Sequence, residues 1–200
     1  MTSFDASVIE AFTALWQRTV ILDWGAVFFA TYLPFALVIA AIVLFFRNPS
    51  WRVRLWYILA TALSVLLARG FFTELVRFVY ARPRPFVELR FSPLLNGFDP
   101  SPAFPSGHAA AFFALAFVML FIKRRWGYWF LGFAVLNALA RVYAGVHWPT
   151  DVIAGAIVGC LSAGIVWFAL LRNPGDLLDG EEEQEKEGEP ERALFPNVSA

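Results

Sequence analysis

The stretch Pro105-Ser106-Gly107-His108-Ala109-Ala110-Ala111-Phe112-Phe113-Ala114-Leu115-Ala116-Phe117-Val118-Met119-Leu120-Phe121-Ile122 decides the fold class. Beyond His108 it holds no charge, Pro or Gly, and Lys123-Arg124-Arg125 closes it. Pro-Ser-Gly is a helix start, with Ser as the cap. A helix needs about 20 apolar residues to cross a bilayer core, and this run approaches that length. Four more stretches do so: about Val20 to Phe46, with a kink expected at Pro34; about Leu55 into the seventies; about Trp126 to Val146; and about Val152 to Leu171.

Composition agrees. Hydrophobic residues make up 59% of the 200 positions, and the mean hydropathy is +0.61. Soluble domains are about half apolar or less. The expected fold is an all-α integral membrane protein with five transmembrane helices in residues 20–172. Residues 1–19 precede them, and Phe4, Val8, Ile9, Phe12, Leu15 and Trp16 recur there at helical spacing around Asp5, Glu10 and Gln17. That pattern fits an amphipathic helix in the membrane interface, and fits a short helix packed on the bundle equally. With no basic n-region, it does not read as a cleaved signal peptide. Residues 173–200 form an acidic tail, rich in Glu, Gly and Pro and expected to be disordered. Cys160 lies alone in an apolar run, so it reads as a packing residue and forms no intrachain disulfide.

The formal net charge is zero, so bulk charge argues for no partner such as nucleic acid. Its distribution is more informative. Arg47, Arg52 and Arg54 lie between the first two runs, and Lys123, Arg124 and Arg125 between the third and fourth. Alternating spans put both clusters on one side, and basic loops mark the cytoplasm. The tail is then cytoplasmic, while the loop from about Ala81 to Ser106 and the turn at His147–Pro149 face the other side. Arg82, Arg84 and Arg90 make that loop basic too, against the rule unless some have another task. Within the second run, Arg69, Glu74 and Arg77 follow the apolar part, and charges at mid-bilayer cost about 2.5–3.5 kcal/mol each on insertion scales. Arg69 and Arg77 share a helix face, and Glu74 can pair with Arg77 three residues on.

Both histidines, His108 and His147, fall on the expected extracytoplasmic side, as do Arg77, Arg84 and Arg141. Singly, each has an ordinary explanation: a structural histidine, or an arginine snorkelling to headgroups. Together they make a reaction site. Three guanidiniums form an anion site, because their forked donors match phosphate oxygens. Ser106 and the Gly107 backbone add donors at a helix N-terminus, and Gly107 permits close approach. One imidazole can attack phosphorus while Asp151, four residues after His147, holds its other nitrogen. The second imidazole can protonate the leaving oxygen. No cluster has metal-ligand spacing, so charge stabilisation falls to the arginines and no cofactor is expected.

These residues resemble the type 2 phosphatidic acid phosphatase (PAP2) family, whose pattern is Lys-x6-Arg-Pro, Pro-Ser-Gly-His and Ser-Arg-x5-His-x3-Asp. Here the motifs read Arg77-x6-Arg84-Pro85, Pro105-Ser106-Gly107-His108 and Ala140-Arg141-x5-His147-x3-Asp151. Arg77 replaces the usual Lys and Ala140 the usual Ser. The resemblance implies a PAP2/haloperoxidase-like helical bundle and a metal-independent lipid phosphatase. By the same resemblance, His147 forms a phosphohistidine, Asp151 orients it and His108 serves as acid, then base. Arg77, Arg84, Arg141, Ser106 and Gly107 would hold the phosphate. The short layout, Tyr32-Leu33-Pro34 and the Arg-Pro-Arg-Pro-Phe run at 82–86 resemble the bacterial undecaprenyl-diphosphatase branch. Phosphatidylglycerophosphate and phosphatidate phosphatases share the motifs, and transfer to an acceptor other than water is equally readable. A lipid-phosphate-binding or transport protein would not need an oriented nucleophile. A vanadate-dependent haloperoxidase shares the anion site in a soluble fold, which the membrane-length runs oppose. The expected location is a bacterial plasma membrane, with membrane lipids and a lipid phosphate or diphosphate as partners. Leu94, Leu95 and Phe98 are expected to cover the site or dip into the bilayer, and Gly155-x3-Gly159 to mark close helix packing.

Overall fold

Pro34 interrupts the first apolar run, and the chain bends there. Helix α2 (Val20–Thr31) and helix α3 (Leu33–Phe46) meet at 44°. Pro34 lies in the first turn of α3, where a missing N–H costs no helical hydrogen bond. The computed structural model describes residues 2–95 and 101–171. Within them the remaining elements are α1 (Ser3–Thr13), α4 (Trp51–Val65), α5 (Thr73–Val79), α6 (Pro85–Glu88), α7 (Gly107–Ile122), α8 (Arg124–Tyr143) and α9 (Pro149–Val166). A π-helical stretch, Leu66–Phe72, joins α4 to α5 without a break, and another, Trp167–Leu171, continues α9. No strand occurs among the described residues.

All five expected runs are helical. Trp51–Val79 and Pro149–Ala169 are each long and apolar enough to cross a membrane, and the bent α2–α3 pair makes a third. Helix α7 has 16 residues, about 24 Å at 1.5 Å per residue, short of the ~30 Å hydrocarbon core. Helix α8 carries Arg124, Arg125 and Arg141, which dilute its apolar character. Large apolar side chains cover the outer faces. Ile21 is 87% exposed and Phe78 90%, with Trp24, Phe35, Ile39 and Phe168 exposed as well. So wide an apolar surface belongs against lipid.

Helix α7 is the centre of the bundle, packed on α9, α8 and α4. Ala109, Ala110, Ala114, Ala116, Val118 and Met119 are buried along it. The crossing with α9 is close. A Cβ on Gly155 would lie 2.9 Å from the Ala109 Cβ, and one on Gly159 would lie 2.8 Å from the Ala114 backbone nitrogen. The glycine pair therefore packs helices within the bundle, as its spacing suggests. Cys160 is a free, partly buried thiol.

Helix α1 packs on α8 and α9. Its Ile9 joins Trp148, Ala109 and Val152 in one apolar cluster. It is shorter than the periodic pattern implies, for it ends at Thr13 and Gln17 takes a positive φ of 61°. Asp5, a polar position in that pattern, is fully buried, because it meets a cation described below. Phe98 and the acidic tail lie outside the described residues.

Replacing Gly159 with Leu should separate α7 from α9. Overpacking costs about 1–3 kcal/mol, so the unfolding midpoint in detergent should fall by at least ~2 °C. Gly164, whose Cβ direction is open, is the control, and Gly164→Leu should leave the midpoint in place.

Candidate active site

Ser106 caps α7. Its Oγ accepts from the Ala109 N–H at 3.5 Å, and its own N–H donates to the Asp151 carbonyl at 2.9 Å. The starts of α7 and α9 are thereby tied, and His108 is brought towards the turn that carries His147. That turn begins at Gly145, whose φ of +77° suits a residue without a Cβ. Pro149 opens α9, and Asp151 Oδ2 accepts from the Trp148 N–H at 2.9 Å. Asp151 is thus fixed in the first turn, with Oδ2 3.5 Å from His147 Nδ1. Nδ1 forms no hydrogen bond at that separation.

His147 is 1% exposed. Burial depresses its pKa well below the ordinary histidine value, and Arg141, Arg84, His108 and Arg77 add to the effect in that order. Desolvation and nearby cations both disfavour imidazolium, which favours the neutral ring of His147.

Each of the three motif arginines donates to a backbone carbonyl. Arg84 holds the connecting loops: Nη1 donates to the Val146 carbonyl at 3.0 Å, and Nε and Nη2 reach the Ser101 carbonyl and Oγ at 3.0 and 3.1 Å. Arg141, buried in the last turn of α8, sends Nη1 towards the Ala30 carbonyl at 3.4 Å. Arg77 donates to the Pro105 carbonyl and to Glu74, each at 3.3 Å. Ala140 packs with Ala30, Ala144 and Val146. A cavity of about 770 Å³ opens between α2–α3 and α7, and its lining includes His108, Gly107, Arg141 and Arg69. The expected site residues thus gather around the junction of α7, α8 and α9. His108 lines the cavity, while His147, Asp151, Arg84 and Ser106 are buried and are not among its lining residues. Leu95 is buried and Leu94 half-buried, and both line the cavity, as a cover would.

Sequence reasoning missed Arg82 and Asp5. Arg82 Nη1 donates to Asp151 Oδ1 at 2.9 Å and Thr150 Oγ1 at 2.6 Å, while Nη2 donates to Asp5 Oδ2 at 2.7 Å. Thr150 in turn donates to Asp5 from its N–H at 3.1 Å. Burial raises the Asp5 pKa, but Arg82 and the Thr150 and Thr2 donors outweigh it, so the net shift is downward. The guanidinium also lies 5.0 Å from the Trp148 ring centroid, a cation–π distance. The available signal was Arg82-Pro83-Arg84-Pro85, where the pattern uses only the second arginine. Gly107 gives another surprise. The side chain of Arg69 crosses it, and a Cβ there would collide with that side chain.

Among the described residues, no group of three or more His, Cys, Asp or Glu side chains is placed to hold a metal ion.

Comparison with known proteins agrees with the fold. The profile of the PAP2 superfamily matches residues 53–174. The undecaprenyl-diphosphatase BcrC of Bacillus subtilis is 31% identical over 80% of this chain and 81% of its own length. The lipid A 4'-phosphatase of Bacteroides thetaiotaomicron is 32% identical over 61% of this chain and 57% of its own. The crystal structure of a transmembrane PAP2 type phosphatidylglycerolphosphate phosphatase from Bacillus subtilis is 26% identical, superposes with a TM-score of 0.54, and covers 81% of this chain and 82% of that one. Three motifs in order, a helical bundle that gathers them at one junction and a profile match across most of the apolar region lead to one assignment: the chain belongs to the PAP2 superfamily and is a membrane phosphatase.

Proposed function

We propose that this phosphatase hydrolyses undecaprenyl diphosphate to undecaprenyl phosphate at the extracytoplasmic face of a bacterial plasma membrane, through a phosphohistidine on His147. The observation that carries the reading is the His147–Asp151 pair. A buried, neutral imidazole sits 3.5 Å from a carboxylate that Arg82 and the Trp148 N–H already hold in place. The free imidazole nitrogen attacks the terminal phosphorus. An N–P bond forms as the P–O bond to the lipid phosphate breaks, and the departing oxygen takes its electron pair and a proton from His108. Asp151 accepts a hydrogen bond from the Nδ1–H of the cationic ring. His108, now neutral, removes a proton from water, and the water oxygen displaces His147 to give inorganic phosphate. Arg77, Arg84, Arg141, Ser106 and the Gly107 N–H stabilise the charge on the transferred group. Five helical runs as five spans, with Arg47, Arg52, Arg54 and Lys123–Arg125 at the cytoplasmic side, would put this junction outside. Relatives named for lipid A and phosphatidylglycerolphosphate favour a second reading, a lipid phosphomonoester as substrate.

Purified His147→Ala protein should release phosphate from undecaprenyl diphosphate about 10³-fold more slowly or worse, and undiminished turnover would sink the nucleophile assignment. Asp151→Asn should cost roughly 10²–10⁴-fold, because it leaves the wrong tautomer. A panel containing lipid A, phosphatidylglycerophosphate and phosphatidate then decides between diphosphate and monoester.

The depressed His147 pKa also fixes the sign of the pH response. The attacking neutral form persists as pH falls through 6.5, the ordinary histidine value. The acid limb of kcat/KM, corrected for the ionisation of substrate, should therefore lie below pH 6.5. A limb at or above that value would contradict a neutral, buried nucleophile.

A further inference from the structure

Arg69 and Glu74 are charged residues of a membrane-length helix that the mechanism above leaves unused. Ionisable side chains in a membrane-length helix are a signal of function. Their side chains are 44% and 52% exposed, whereas that of Arg77 is 12% exposed. Glu74 Oε1 accepts from Nη1 of both Arg69 and Arg77.

The backbone makes this contact possible. In an α-helix, residues five apart point about 140° away from each other, since each residue turns ~100°. Arg69 lies within the π-helical stretch Leu66–Phe72, whose hydrogen bonds run between residues five apart. Thr73 closes that register through its N–H to the Ala68 carbonyl, and its Oγ1 donates to the same oxygen at 2.8 Å. The altered register turns Arg69 onto the side of Glu74. From there its side chain passes over Gly107 and reaches the cavity that His108 and Arg141 line.

We propose that Arg69 selects for a diphosphate by binding the lipid-bound phosphate that leaves, exchanging its Glu74 partner for that phosphate. This rests on the reading above, in which His108 protonates the leaving oxygen. Arg69 crosses Gly107 and lines the same cavity as His108, so its charge lies beside the group that protonates the leaving oxygen. When the P–O bond of a diphosphate breaks, the electron pair goes to a phosphate that already carries negative charge. Arg69 stabilises that charge. A monoester releases a neutral alcohol and gains far less from it. The Glu74 carboxylate occupies both arginines and competes with incoming anions.

The test uses the full-length chain in detergent with two substrates of identical tail, farnesyl diphosphate and farnesyl monophosphate. The readout is the ratio of their kcat/KM values, in which the active fraction cancels. Arg69→Gln should lose at least about tenfold more on the diphosphate than on the monophosphate, and Arg69→Lys should recover part of the ratio. Glu74→Gln keeps the arginine and removes its competitor, so it should move the ratio towards the diphosphate. A ratio unchanged within twofold in Arg69→Gln, or a fall in Glu74→Gln, overturns the role of Arg69 and leaves the catalytic reading intact. His147→Ala retaining activity would instead sink the catalytic reading, and a wild type that cleaves only the monophosphate overturns both.

Discussion

Gly155 and Gly159 present no side chain where α9 crosses α7, and backbone lies almost against backbone there. The site depends on this contact. The Ser106 N–H reaches the Asp151 carbonyl only because the two helix starts lie side by side. His108 rides on the first turn of α7, Asp151 on the first turn of α9, and His147 on the turn just before it. Small residues let membrane helices approach without a hydrophobic driving force between them. The chemistry is then set by helix starts, where unpaired N–H groups and dipoles favour anions.

A second constraint acts from outside the bundle. Arg82 shares one guanidinium between Asp151 and Asp5, all three largely or fully buried. A buried cation between two carboxylates is tolerated when its donors are used, and here Thr150 takes part as well. The amino-terminal helix is thereby held to the residue that faces His147. Its apolar side adds Ile9 against the Trp148 cluster.

Much of this was legible in the sequence, for identifiable reasons. The motif residues His108, Arg141, His147 and Asp151 have local spacings, and helix starts translate spacing into position. Pro34 announced its bend because proline cannot continue a hydrogen-bonded helix. The glycine pair announced a close crossing. Asp5 was not legible, because its partner lies 77 residues away and an acidic residue in an amphipathic segment ordinarily faces water. Arg82 was masked by Arg84, two positions on, which satisfies the pattern alone. The contact of Arg69 with Glu74 was hidden for a different reason: α-helical periodicity groups Arg69 with Thr73 and Arg77, and a π-turn is invisible to it.

That π-turn can be expressed as chain length. A stretch bonded between residues five apart accommodates one residue more than the α-helical turn it replaces. Deleting a single position between Leu66 and Phe72 would let the helix close into regular α form. Everything after the deletion would keep its register to α5, the loop and the motif arginines. The residues of that turn, Arg69 among them, would be presented to other faces. The segment therefore behaves as an insertion that carries one cation into the cavity beside Gly107 and His108.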